Sequence, residues 1–375
     1  MISKYLATVA AILPMMAVSS AMAEEYTVAV LQSSTGGAAF IGAPIRDGMI
    51  MAAEEINASG VLGEGNSLNL IVGDDATDRT QTLSLMTRYA NDPEVLAVLG
   101  PTSSATALSG TSVANEVGVV AITITNSLQV LENGPWSYIL TQPAFVTMPY
   151  LADFTANSLD VERCAVIGIN DVESYVTVEN TYKDLIREAG IEIVSEDGIA
   201  ATASDFSAIA TRIATGNQDC VFISAPAAQG ANIIIQLRQA GLDPDTAVIG
   251  HSAFASPQFI ERGGAAVEGV YLFGDYVPGG FNEYSAGFDA RFAERFGNPP
   301  DNWAAVGYGG MQVIAAAIRE AQPNVTRETI RDAIMTIRDV PVVVGQGVWE
   351  LDEERIPRIG VNILQVQDGA FVAAE

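Results

Sequence analysis

Lysine is nearly missing from this sequence: of 375 residues, only Lys4 and Lys183 are lysine. Lysine and arginine together number 18 against 45 aspartates and glutamates, a formal net charge of −27 at pH 7. A surface of that sign repels nucleic acid and anionic lipid, which argues against both as partners. It also keeps a chain soluble at high ionic strength, as a salty habitat would demand. Histidine occurs once, at His251, so an HExxH zinc site is excluded and at most one histidine-based triad is possible. No G-x-S-x-G elbow, Walker loop or G-x-G-x-x-G fingerprint occurs. A hydrolase built on His251 would need a nucleophile and an orienting acid to converge there, and a polar wall residue is the simpler expectation. The two cysteines, Cys164 and Cys220, each start an expected strand, so one bridge or two buried thiols are both open. No fixed repeat and no low-complexity linker interrupts the chain.

Long apolar runs are also scarce, and the first is short. Met1 to Lys4 is cationic, Tyr5 to Val18 is apolar but broken by Pro14, and Ala21-Met22-Ala23 fits a small-x-small cleavage pattern. A secretory signal cleaved after Ala23 is expected, giving an exported chain located in the periplasm. No cysteine stands at the cleavage point, so a lipid anchor is not expected. About 350 residues remain, more than one core ordinarily serves, which predicts two domains.

What is present is a regular alternation of apolar strands and amphipathic helices. Strands are expected at 26–31, 68–72, 95–99 and 119–124, with helices at 42–58, 79–91 and 103–117. The alternation repeats with strands at 165–169, 191–194, 221–223 and 247–249 and helices at 174–189, 205–215 and 228–240. Helices follow at 283–297, 303–321 and 326–337, then strands at 341–344, 347–351 and 361–366. Strands apolar on both faces, separated by helices, indicate parallel sheets covered on both sides. The fold class is therefore α/β, with two doubly wound, Rossmann-like lobes around a cleft and a short join near Thr141-Gln142-Pro143. Open sheets of this kind bind ligands at the C-terminal ends of their strands. Those ends carry Ser33 to Gly37, Thr102 to Ser104, Thr125 to Ser127 and Asp171 to Tyr175, rich in hydroxyls and small residues.

The stretch around residue 100 is the most informative. Val95 to Leu99 stops at Gly100-Pro101 and gives way to Thr102, Ser103 and Ser104 before a helical pattern. A turn from a strand end into a helix start presents unpaired N–H groups and the positive end of the helix dipole. Ala105 and Ala107 leave room for a ligand to approach. The turn suits a carboxylate, and taken alone it equally suits an ordinary Ser/Thr cap. The Asp74-Asp75 pair has no ligand cluster beside it, so Asp78 capping the next helix is expected rather than a metal site. Trp136 either lines the cleft or packs its loop.

These strand-end motifs, in this order, resemble the periplasmic leucine/isoleucine/valine-binding protein family, the type I solute-binding proteins of ABC transporters. The resemblance runs through Val28 to Gly42, Ala52 to Gly60, Asp74-Asp75, Gly100 to Thr106, Tyr175, Gln236 to Leu242 and Ala305 to Tyr308. It implies that Ser104, with the backbone around Thr102 and Ser103, grips a ligand carboxylate. Thr125 would contribute its backbone and Ser127 its hydroxyl, while Phe40 serves as a lid and Tyr175 closes from the second lobe. Pro226 falls where an aromatic often stands, and Ser252 near the place of the acid that neutralises a ligand ammonium. A desolvated ammonium needs a carboxylate, so either Asp275 takes that role or the ligand carries no ammonium; His251 adjoins the position. The lobes implied are 24–142 plus 277–340 and 143–276 plus 341–375. The function implied is binding of a branched-chain or other apolar amino acid and delivery to a membrane permease and ATPase. An amine-free carboxylate or small amide is the alternative ligand, and a ligand-sensing module the alternative role. A monomer without cofactor, metal or catalytic residues is expected.

Overall fold

The computed structural model describes residues 23–125, 127–280 and 285–374. The expected signal segment up to residue 22, Asn126 and the first two residues of the expected helix 283–297 lie outside the described residues.

The first sheet contains β1 (Glu25–Gln32), β2 (Ser67–Asp74), β3 (Val95–Thr102), β4 (Val120–Ile124) and β5 (Ser137–Ile139). Their order is β2-β1-β3-β4-β5 and every pair is parallel. The connections are α1 (Ala39–Ser59), α2 (Arg79–Asn91), α3 (Ser104–Val117) and the short α4 (Gln129–Glu132). Then α5 (Ala144–Ser158) leads away to a second unit. No helix was expected at α5; Pro143 precedes it, and Pro149 is accommodated inside it.

The second unit runs through β6 (Arg163–Ile169), α6 (Glu173–Glu188), β7 (Glu192–Ile199), α7 (Ser207–Ala214), β8 (Cys220–Ser224), α8 (Ala227–Gln239) and β9 (Ala247–Ile249). It continues with α9 (Pro257–Gly263) and β10 (Tyr271–Gly274). The chain then returns through α10 (Phe288–Phe296), α11 (Asn302–Ala321) and α12 (Arg327–Thr336). The segments β11 (Val340–Pro341), β12 (Val348–Leu351) and β13 (Pro357–Arg358) make a small antiparallel sheet. Last, β14 (Asn362–Gln367) and β15 (Ala370–Ala373) complete the second sheet, ordered β15-β14-β10-β9-β8-β6-β7. They join it antiparallel, beyond β10.

Core membership divides the chain differently from the expected break after residue 340. Val342, Val343, Trp349, Leu351 and Ile359 are buried in one cluster with strands of the first sheet and with α1, α11 and α12. From Val361 onward the chain packs with the second sheet, Leu364 and Val366 among its buried residues. Residues 341–359 therefore pack with the first lobe; their short apolar strands look like any others in sequence, and the return crossing comes later. Helices α1 and α11 cross in direct backbone contact: a Cβ on Gly48 would run into the Ala304 carbonyl, and one on Gly307 into that of Ile45. Trp136 packs against this core with the Arg331 guanidinium 4.7 Å from its ring centroid.

Cys164 and Cys220 stand opposite each other on neighbouring strands β6 and β8, and they form a disulfide. The bridge closes a loop with a sequence separation of 56 and is fully buried. Among the described residues no helix is long and apolar enough to cross a membrane.

Candidate ligand-binding site

In both sheets the strand order reverses at one place, between β1 and β3 in the first and between β6 and β8 in the second. Crevices outside the C-terminal ends of such strands are where α/β sheets take ligands. The first-sheet crevice is built from the turn after β3. Ser103 adopts φ 76° and ψ 149°, a conformation that costs a non-glycine residue about 1–3 kcal/mol and that swings the chain abruptly into α3. Its hydroxyl pairs with Thr106 Oγ1 at 2.9 Å. Among the described residues no side chain caps α3, and uncapped first-turn N–H groups of this kind can take an anionic group. Ser104 Oγ lies 2.9 Å from Thr125 Oγ1, which also accepts the Ser127 N–H at 3.1 Å. The hydroxyls of Ser104 and Thr125, distant in sequence, thus stand together with the Ser127 backbone at an uncapped helix start.

Thr102 is different. It is buried, and its hydroxyl donates to Gln32 Oε1, while Gln32 Nε2 donates to the Leu99 carbonyl at 3.0 Å. That network fixes the turn from behind, so the Thr102 hydroxyl supports the site rather than facing a ligand. Phe40, near the start of α1, is 42% exposed, placing an aromatic ring at the surface beside the β1 loop. The Asp pair holds this loop: Asp75 Oδ1 accepts from Ser33 Oγ at 2.6 Å and Asp74 Oδ2 from Thr35 Oγ1 at 2.7 Å. Asp78 accepts the Gln81 N–H at 2.8 Å as the cap of α2. No group of three or more potential metal ligands exists among the described residues.

On the second sheet, Tyr175 in the first turns of α6 and His251 after β9 meet edge to face, ring centroids 5.6 Å apart. The Tyr175 carbonyl accepts from Ser224 Oγ at 2.9 Å, tying α6 to the end of β8. Burial pushes the Tyr175 phenol up to about 12 and the His251 imidazole down to about 4, so both are neutral at pH 7. His251 Nδ1 accepts the Ala253 N–H at 3.4 Å, and Nε2 is buried without a partner among the described residues. Ser252 follows in a short 3₁₀ turn, and Pro226 precedes α8 as its cap residue. The strand ends therefore bring Tyr175, His251, Ser252 and Pro226 to one end of the second sheet.

Asp275 is not part of that wall. It sits in the crossing between the two units, where its backbone N–H donates to Asn302 Oδ1 at 2.7 Å and its Oδ2 accepts from Asn302 Nδ2 at 3.3 Å. Its carbonyl accepts the Gly345 N–H at 2.6 Å, and burial raises its carboxyl to about 6. With Leu140, Thr141 and Val344 it lines a cavity of about 10 Å³, room for no more than a water. Gln142 ties the same region: its Oε1 accepts from the N–H groups of Ile359 at 3.0 Å and Gly360 at 3.2 Å, and Nε2 donates to Gly360 O at 2.8 Å. Sequence reading marked the short join at Gln142 but gave its side chain no role.

Residues 25–370 match the family model described as periplasmic binding protein. The chain belongs to the periplasmic binding protein family. Proteins of this family bind solutes and are not enzymes. Among relatives, the Leu/Ile/Val-binding protein BraC3 of Rhizobium johnstonii is 25% identical over 359 residues, 94% of each chain. The Leu/Ile/Val-binding protein of Escherichia coli K12 is 26% identical over 255 residues, 67% of this chain and 68% of that one. The fold matches a leucine-binding protein LivK from Thermotoga maritima, with a TM-score of 0.81 at 24% identity, covering 93% and 97% of the two chains. It also matches LivJ from Streptococcus pneumoniae in complex with isoleucine, with a TM-score of 0.81 at 20% identity, covering 94% and 99%. The architecture is that of type I periplasmic binding proteins.

Proposed function

We propose that this periplasmic binding protein is the solute-binding component of an ABC importer, exported by its N-terminal signal, that closes its lobes on a small apolar carboxylate and hands it to the permease and ATPase. The observation that carries the reading is the Ser104–Thr125 hydroxyl pair, braced by the Ser127 N–H, at the uncapped start of α3, which suits one anionic group. Lobe one takes 24–142 and 277–359 and lobe two takes 143–276 and 360–375, so the cleft lies between the two clusters of strand ends. Phe40 and Tyr175 cover the ligand from opposite sides. No chemistry on the ligand, no cofactor and a monomeric state go with this role.

The ligand in the first reading is a branched-chain or other apolar amino acid, as the names of the relatives suggest. An amine-free carboxylate is the second reading, and one observation favours it: the lobe-two wall offers a neutral His251, Tyr175, Ser252 and Pro226, with Asp275 withdrawn into the hinge. A thermal-shift panel on residues 24–375 separates the two. Leucine and 4-methylpentanoate differ only by the amine, and a ligand of the folded state raises the melting temperature. A shift with leucine alone supports the first reading and a shift with 4-methylpentanoate alone the second; no shift with any small carboxylate overturns both.

A further inference from the structure

A second cavity, of about 270 Å³, opens beside the crossing at Tyr276 to Pro278. None of its lining residues belongs to the Ser104 cluster or the Tyr175–His251 wall. Its walls come from both cores. Ile260 of α9, Leu364 of β14 and Phe371 of β15 belong to the second-sheet side. Asp301, capping α11, leads into Ala304 and Ala305 of the first core, and Tyr276 is itself buried there.

The polar groups along the cavity are nearly all committed. Tyr276 donates its hydroxyl to Asp289, and Asn302 spends its amide on Asp275 and on the Tyr276 N–H. What remains is negative: the carboxylates of Glu261 and Asp301, with no lysine, arginine or histidine among the described lining residues. Asp301 Oδ1 accepts the Ala304 N–H at 2.8 Å, and burial raises the carboxyl to about 6, as expected of an acid without a cation beside it. The remaining walls, Pro257, Ile260, Leu364 and Phe371 among them, offer apolar surface.

We propose that this cavity is a second ligand site, for a small organic cation carrying a primary ammonium on a compact apolar body, and that its occupancy biases the hinge. The ammonium meets Asp301 and Glu261 while the body rests on Ile260, Leu364 and Phe371. Because those walls move with different lobes, an occupant has different contacts in the open and closed forms and shifts the balance between them. By reciprocity it then changes affinity for the cleft ligand by the same factor that the cleft ligand changes its own. The coupling, though not the binding, rests on the two-lobe reading above.

The test uses benzylammonium as probe, with benzyl alcohol as its neutral isostere, on residues 24–375. Calorimetric titration is expected to show benzylammonium binding at least tenfold tighter than the alcohol. Asp301→Asn, which keeps a capping side chain but removes the charge, is expected to erase that preference, and Ile260→Trp, which fills the cavity, to abolish binding. Ser104→Ala is expected to leave the benzylammonium affinity unchanged. No benzylammonium binding at millimolar concentration, or binding that survives Ile260→Trp and is lost in Ser104→Ala, overturns the site. For the hinge, saturating benzylammonium is expected to alter the affinity for a cleft carboxylate several-fold, and an unchanged affinity overturns the coupling alone.

Discussion

Ser104 and Thr125 share a single hydrogen bond, so each hydroxyl keeps capacity for a ligand oxygen. A charge-assisted bond to a carboxylate is worth on the order of 1.5–3 kcal/mol. Ser104→Ala should therefore weaken a carboxylate ligand by at least tenfold in calorimetric titration, with the melting temperature of the free protein little changed. Equal affinity would remove Ser104 from the site. Asp275 makes a prediction of a different kind, because its folded-state carboxyl is raised to about 6 from an ordinary 3.8. The folded protein then holds more protons than the unfolded chain between about pH 4 and 6, so this group costs stability as pH rises through that window. Asp275→Asn should gain on the wild type between pH 4 and 7, by on the order of 3 kcal/mol at most. His251 and Asp301 titrate in the same range, but both are present in wild type and variant, and their effects cancel in the difference. A variant that tracks the wild type at both pH values would show that the buried acid is not desolvated as described. Of the residues read from sequence, Ser104 and Thr125 stand side by side, although only the backbone of Thr125 was expected to contribute. Asp275 could not be placed, because which side of a crossing a carboxyl faces depends on Asn302 and Gly345, both far along the chain.

Among the elements, β6 and β8 are neighbours in the sheet, and their alignment puts Cys164 opposite Cys220. Sequence alone left the pair open because adjacency of these strands follows from sheet order rather than from spacing. A bridge closing a loop of this length should stabilise by about 2–4 kcal/mol, mostly by restricting the unfolded chain. Cys164→Ala with Cys220→Ala should lower the unfolding free energy from urea titration by that amount, with a lower midpoint, while leaving ligand affinity near the wild-type value, since both sulfurs lie at the opposite ends of their strands from the site. An unchanged midpoint would mean the thiols are reduced in the native protein. The helices and strands were largely readable from period and apolar runs. No helix was expected at α5, and residues 341–359 were given to the second lobe because their strands are too short to declare their sheet. Both errors fall where the chain passes between lobes, and there the deciding contacts are the long-range bonds of Gln142 to Ile359 and Gly360.

At the scale of the molecule, two α/β units with separate cores are joined by crossings that Gln142, Asp275 and Asn302 hold together. The strong negative charge of the surface says little of the ligand, which in the proposed function meets hydroxyls and neutral rings inside a cleft. In the proposed function a small carboxylate binds both lobes and draws them together, since only a ligand contacting both shifts the hinge. Small-angle X-ray scattering of residues 24–375, with and without saturating carboxylate from the thermal-shift panel, measures this. A smaller radius of gyration is expected in the bound protein, and a smaller change in Ser104→Ala at a ligand concentration that only just saturates the wild type. An unchanged radius of gyration in the saturated wild type would contradict capture by closure.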